Sequence, residues 1–218
     1  MSFYDERVLP HLINWSMRQP IFDAYRRRVL QAAEGCVLEI GIGAGLNLPF
    51  YGHAAEHVIG LEPSPRLLAM VRETSSAVPR QVELLRATAE AIPLEDGCVD
   101  TVVSTWTLCS IPDVARALEE IRRVLKTDGR FVFVEHGLSS DPGVSRWQHR
   151  LTPLWKRIAG GCHLDRPIAR LVENAGFRFD QLQTEYMQGP RPMTFMYAGS
   201  ARIGITRSFH QSVHCGGT

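Results

Sequence analysis

At 218 residues the chain is long enough for one large α/β domain with a full core and too short for two domains and a linker. Its 24 Lys and Arg against 23 Asp and Glu leave a net charge of +1 with no sustained basic stretch, which argues against a nucleic-acid partner. Five cysteines, Cys36, Cys98, Cys109, Cys162 and Cys215, lack the short paired spacings of a zinc site or a secreted disulfide framework, and no apolar run approaches bilayer-spanning length.

Residues 1–7 are polar and partly acidic, without the basic start and apolar core of a signal peptide, so a cytoplasmic location with reduced thiols is expected. Residues 1–34 read as a helical lead-in, where Arg26, Arg27 and Arg28 suit a solvated helix face better than a lipid-binding patch. A short apolar strand follows at 36–40, carrying one acid, Glu39, and it runs into Gly41, Gly43 and Gly45. Further strands are expected at 57–61, 82–85, 99–104 and 131–135, each apolar and bounded by turn residues. Between the last two, Val114, Leu118, Ile121 and Leu125 fall on one helical face, with Asp113 placed to cap the start and Asp128-Gly129 to end it.

Beyond the fifth strand, Trp147, Leu151, Leu154, Trp155 and Ile158 recur at helical spacing among Arg146, Arg150, Lys156 and Arg157, and Pro153 breaks the regularity. This insertion, residues 138–163, reads three ways: a lid over an apolar acceptor, a peripheral contact with a membrane surface, or helices packed on the sheet. Asp165 as a cap, Pro167 in the first turn and Gly176 beyond the end frame another helix. Residues 177–186 and 193–199 read as two strands joined through Gln188-Gly-Pro-Arg-Pro192, an antiparallel pair at one edge. Residues 203–218 read as an irregular tail; His210, His214 and Cys215 there do not suffice for a metal site.

Alternating strands and helices imply a mostly parallel sheet covered by helices on both faces, built as one domain over 1–202. Alternate glycines at a strand end let a ligand lie against bare backbone, because each lacks the Cβ that blocks close approach or positive φ. A dinucleotide-binding turn, G-x-G-x-x-G, needs a third glycine or an alanine where Leu46 stands, which argues against a nicotinamide-dependent oxidoreductase. A phosphate-cradling loop needs a Lys-Ser or Lys-Thr pair, and none follows. What remains, E-x-G-x-G-x-G, resembles the first motif of class I S-adenosylmethionine-dependent methyltransferases, with Glu39, Gly41, Ile42, Gly43, Gly45 and Asn47 facing or supporting the cofactor.

Downstream landmarks agree with that resemblance. Glu62 ends the second strand, where a carboxylate accepts from two ribose hydroxyls, and Pro63 and Ser64 begin the turn after it. Thr88, Ala89 and Glu90 resemble the family's adenine-binding segment, with Thr88 standing where an Asp is usual. Thr105, Trp106 and Leu108 follow the fourth strand at the carboxyl edge of the sheet, where ligands of open α/β folds bind. By analogy with the superfamily, Tyr4, Val8, Leu9, Leu12 and Trp15 fold over the cofactor as an N-terminal cover.

Residues 35–135 resemble the type 11 methyltransferase superfamily as a whole, which implies a seven-stranded Rossmann-like sheet. More narrowly, Thr107-Leu-Cys-Ser110, Ile121-Arg-Arg-Val-Leu-Lys126, Val134-Glu-His136, Trp147-Gln148, Pro153-Leu-Trp155 and Gly161-Cys162, in that order, are similar to the small thiol S-methyltransferases of animals and their bacterial homologues.

The resemblance implies transfer of a methyl group from S-adenosylmethionine, leaving S-adenosylhomocysteine, to a small apolar acceptor, with a thiol favoured and no metal expected. Some bacterial relatives act on phospholipid amines or quinones, so these are the runner-up acceptors. A protein that binds the cofactor without catalysis is the rival from another class. His136, at the end of the fifth strand, is the candidate general base, and His163 a weaker one. Cys109 and Cys162 are read as small buried packing residues. Neither the acceptor nor the oligomeric state follows from these residues.

Overall fold

The computed structural model describes residues 7–76 and 78–204. The expectations for Tyr4, His210, His214 and Cys215 lie outside them. Seven strands form one sheet: β1 (Gly35–Ile40), β2 (Ala55–Leu61), β3 (Gln81–Leu85), β4 (Val99–Thr105), β5 (Leu125–His136), β6 (Phe177–Tyr186) and β7 (Phe195–Ile203). Their order is β3-β2-β1-β4-β5-β7-β6, with the first five parallel and β7 antiparallel to both neighbours. This is the expected seven-stranded, mostly parallel architecture.

The central strands are almost wholly apolar because both faces of the sheet are covered. Leu38, Ile40, Val102, Phe131 and Phe133 project into one cluster, shared with Leu118 and Ile121 of α4 (Val114–Val124) and with Ile168 of α6 (Ile168–Asn174). Val37, Val58, Val103, Val132 and Val134 belong to a second cluster, closed by Tyr25, Val29 and Leu30 of α2 (Pro20–Leu30). The antiparallel pair stands at the expected edge with β6 outermost. Apolar Phe195–Ala198 goes inside, whereas β6 offers Asp180, Gln181, Gln183 and Glu185 to solvent, charges and amides that discourage further strand pairing.

Several boundaries differ from expectation: β7, expected over 193–199, starts at Phe195 and runs on to Ile203, the first residue of the expected tail. Asp113 does cap α4, accepting from the Arg116 N–H at 3.0 Å, but the helix ends at Val124. Leu125 turns extended to enter the core and pair with Val99, well before Asp128-Gly129. Asp165 does not cap α6, which starts after Pro167; its carboxylate meets His149 Nδ1 at 2.9 Å. Finally, α5 (Pro142–Ile158) runs unbroken through Pro153. Its buried face, Val144, Gln148 and Thr152, holds the turns leading into the proline, and Gln148 bonds the backbone of Ser139, Gly137 and Pro192.

Candidate active site

The strand order reverses between β1 and β4, and the crevice beyond their carboxyl ends is where an open α/β sheet takes its ligand. A cleft of about 490 Å³ lies there. Register explains its floor: Ile40 pairs with Leu61 on one side and Ser104 on the other, so Gly41, Glu62 and Thr105 stand at one level at the carboxyl edge of the sheet. Gly41 has φ +66°, and a β-carbon on it would come within 2.5 Å of the Thr107 side chain. At Gly43, with φ +59°, a β-carbon would meet nothing closer than 3.9 Å, so the loop backbone is bare where it borders the cleft.

Glu62 is buried, and one carboxylate oxygen accepts from Gly43 N–H at 3.2 Å while the other accepts from Ser64 N–H at 2.9 Å. Burial raises its pKa, and these two bonds oppose the rise. Ile42, Asn47, Pro63, Thr88, Ala89, Glu90, Thr105 and Trp106 join Gly41, Gly43 and Glu62 around the cleft, as the sequence suggests. Four expected residues stand elsewhere. Ser64 caps α3 (Pro65–Ser75), accepting from Leu67 N–H, and Gly45 packs against Leu48 and Val71. Leu108 is wholly buried in the core, because its N–H is pulled inward to Glu135.

Glu39, the fourth, lies beneath the loop rather than along it. Its carboxylate accepts from Asn47 Nδ2 at 2.8 Å and from Tyr51 OH at 2.7 Å. Burial pushes its pKa up to about 7, against the pull of those two bonds. Asn47 Nδ2 also reaches Thr105 Oγ1 at 2.8 Å, and Asn47 Oδ1 accepts from Arg26 Nε at 3.0 Å. Arg26 is therefore no solvated residue: it is 3% exposed, bonded to Asp23 and to the Met17 carbonyl, and it lines the cleft. The run of three arginines hides this, since α2 turns one of them inward while Arg28 pairs at the surface with Glu185.

Trp106 is the one residue other than glycine with positive φ, +50°, among those described. Phe22 meets its ring edge-on at 4.9 Å, and the Arg26 guanidinium lies 5.5 Å from its centroid. Its indole N–H is buried without a partner, the kind of orphan that a bound ligand's acceptor satisfies. Glu135 holds the loop beyond it: fully buried, it accepts from Ser104 Oγ and from the backbone N–H groups of Thr107, Leu108 and Cys109. An acid inside an apolar strand is the signal that would have found this role.

Over the cleft lies α1 (Leu9–Met17), but with a face other than the expected one. Ile13, Asn14 and Met17 line the opening, while Val8, Leu12 and Trp15 face solvent. Gly160, beyond α5, closes the rim where Leu9 and Ile13 approach it. Thr107, Ser110, Ile111 and Pro112 complete the apolar end; Thr107 and Ser110 bound one of the segments that carry the resemblance, but none of the four is among the expected site residues.

His136 is 6% exposed and does not line this cleft; it sits behind the Thr107–Ser110 wall. Its ring nitrogens lie 3.6 and 3.8 Å from Cys162 Sγ, which is 3.4 Å from Cys109 Sγ. Cys162 beside it, and burial, hold the Cys109 thiol well above its ordinary range. His163 donates its backbone N–H to the Cys109 carbonyl at 2.8 Å, and burial lowers its own pKa.

A methyltransferase-domain family profile matches residues 38–133. Thiol S-methyltransferase TMT1B of Rattus norvegicus is 32% identical over 196 residues, which are 87% of this chain and 77% of that protein. Phosphatidylethanolamine N-methyltransferase of Cereibacter sphaeroides is 33% identical over 121 residues, 53% of this chain and 59% of that protein. Among solved structures, a SAM-dependent methyltransferase from Thermotoga maritima superposes with a TM-score of 0.65 at 24% identity, covering 90% of this chain and 96% of that one.

Proposed function

The chain belongs to the class I S-adenosylmethionine-dependent methyltransferases, and we propose that its acceptor is a small apolar thiol. The observation that carries this reading is which ionisable side chains line the cleft. Among the described residues these are Arg26, Glu62 and Glu90, and each already has a partner in the protein: Asp23 and Asn47, the Gly43 and Ser64 amides, and the Asp113 amide. None is a spare base. An acceptor must then bring its own nucleophile, and a thiol, with a pKa near ~8.5, supplies some thiolate at neutral pH, whereas an amine is protonated and a ring carbon is weak.

S-adenosylmethionine, when bound, supplies an electrophilic methyl on a sulfonium. The residues fit such a group: bare backbone at Gly43, an unpaired Trp106 N–H and a carboxylate at the end of β2. Glu62 would hold the ribose hydroxyls and Thr88 with Ala89 the adenine, while the buried cation Arg26 sets a positive field near Asn47 and Thr105 for the amino-acid end. Thr107, Ile111, Pro112, Ile13 and Met17 would orient the acceptor and exclude water. His136 contributes through its neighbours rather than as a base on the acceptor.

An apolar acceptor also suits the outer surface. On α1 and α5, Trp15 (69% exposed), Trp147 (55%) and Leu154 (62%) stand out among Arg146, Arg150 and Arg157. No helix among the described residues is long and apolar enough to cross a membrane, so a contact made here would be peripheral. The relative in Cereibacter sphaeroides supports a lipid amine as the second reading. Labelled S-adenosylmethionine incubated with hydrophobic thiols, phosphatidylethanolamine vesicles and quinone precursors tests the choice. Labelled thioether is expected; labelled lipid amine without thioether rejects the thiol.

A further inference from the structure

Three segments far apart in sequence bring soft donors to one point. Cys109 comes from the loop after β4, His136 from the end of β5 and Cys162 from the turn after α5. One ligand atom of each lies within 4.8 Å of the other two, with Sγ to Sγ 3.4 Å and Cys162 Sγ to His136 Nδ1 3.6 Å. Around a tetrahedral zinc ion, sulfur and nitrogen donors stand about 3.5–3.8 Å apart, as bonds of about 2.3 and 2.0 Å require. We infer that Cys109, His136 and Cys162 form a binding site for a divalent cation of the zinc class.

The donors sit on fixed backbone. Cys109 N–H is bonded to Glu135 and its carbonyl to His163, while His136 pairs with Met196 of β7. Two sulfurs and an imidazole select zinc over magnesium or calcium, which take oxygen ligands. Cys109 and His136 are buried and Cys162 is half-buried, so the fourth position opens on the Cys162 side to water. Binding converts two thiols to thiolates and releases their two protons to solvent, with no electron transferred.

Location gives the site its consequence. Ser110 and Gly160, within two residues of the two cysteines, both line the cleft. A cation held by Cys109 and Cys162 would tie the Thr107–Pro112 loop at the acceptor end to the rim at Gly160. The inference does not rest on the identity of the acceptor.

The test uses the full chain, reduced and freed of metal, and titrated with zinc against a chromophoric chelator and then with cobalt. One equivalent of zinc and the intense visible bands of tetrahedral cobalt with thiolate charge transfer are expected. Cys109→Ser and Cys162→Ser should each weaken zinc binding more than about tenfold, and Cys36→Ser and Cys98→Ser should leave it unchanged. Should the serine variants fail to fold, the cobalt spectrum of the wild-type chain decides alone. A folded wild-type chain, judged by circular dichroism, that gives no tetrahedral cobalt spectrum overturns the site. So does a native mass lower by two hydrogens with Cys109 and Cys162 unreactive, which would make the pair a disulfide.

Discussion

The floor of the cleft and its roof are built by different rules. Every floor element, the Gly41–Gly43 turn, Glu62 and Thr105, stands at the carboxyl end of a parallel strand or directly after it, so the sheet itself sets its position. The roof is assembled from α1, the Thr107–Pro112 loop and Gly160, whose places depend on packing between segments distant in sequence. Substitutions in the floor should therefore cost both stability and cofactor affinity, whereas substitutions on the roof should alter what the cleft accepts.

The largest effect is expected at Gly41→Ala. Positive φ and the clash with Thr107 together should lower the free energy of unfolding by about 2–4 kcal/mol, read by urea denaturation. A loss below about 0.5 kcal/mol would mean that the floor yields as readily as a surface loop.

A second break of the comparison uses pH. The Glu39 carboxyl titrates near 4.5 in model compounds and, buried in the fold, near about 7. Between those values the folded state holds a proton that the unfolded chain has lost, so stability falls as pH rises through this window. The difference corresponds to about 3 kcal/mol. Glu39→Gln should flatten the wild-type slope between about pH 4.5 and about pH 7, measured as the difference in unfolding free energy between the two proteins. Parallel profiles for both would show that Glu39 is not the buried acid responsible.

Glu62→Gln sharpens the contrast, because it keeps shape and removes charge. Its affinity for S-adenosylhomocysteine, measured by calorimetry, should fall by about 100-fold, the size of one or two charge-assisted hydrogen bonds. Unchanged affinity would remove Glu62 from the cofactor site. Smallest in stability is a pair outside the cleft, Trp147→Ser and Leu154→Ser on the exposed face of α5, each expected to shift unfolding by less than about 0.5 kcal/mol. The same two changes should weaken co-sedimentation with anionic vesicles while turnover of a water-soluble thiol stays level; undiminished vesicle binding would confine the exposed apolar residues to another purpose.

The same division explains what the sequence makes legible. The four inner parallel strands stand out because both faces are covered and their apolar runs end in turns, and Glu62 follows from its place at a strand end. Arg26, in a run of three arginines, has no local mark of burial; only the helix phase against Asn47 and Trp106 brings it inside. On α1 the larger apolar residues Leu12 and Trp15 suggest the covering face, yet Ile13, Asn14 and Met17 provide it. On α5 the buried stripe is Val144, Gln148 and Thr152, so apolar periodicity points to the wrong face. Cysteine spacing cannot disclose Cys109 and Cys162 as neighbours, because 53 residues separate them and the fold alone closes that gap.

The most direct test of a cleft without a spare base is the pH dependence of kcat/KM for two thiol acceptors of different acidity. The rate should rise with the thiolate fraction of each acceptor and level off at that acceptor's own pKa, so the inflection moves when the acceptor is changed. An inflection that stays at one pH for both acceptors and disappears in His136→Ala would contradict this, and would make His136 the base after all.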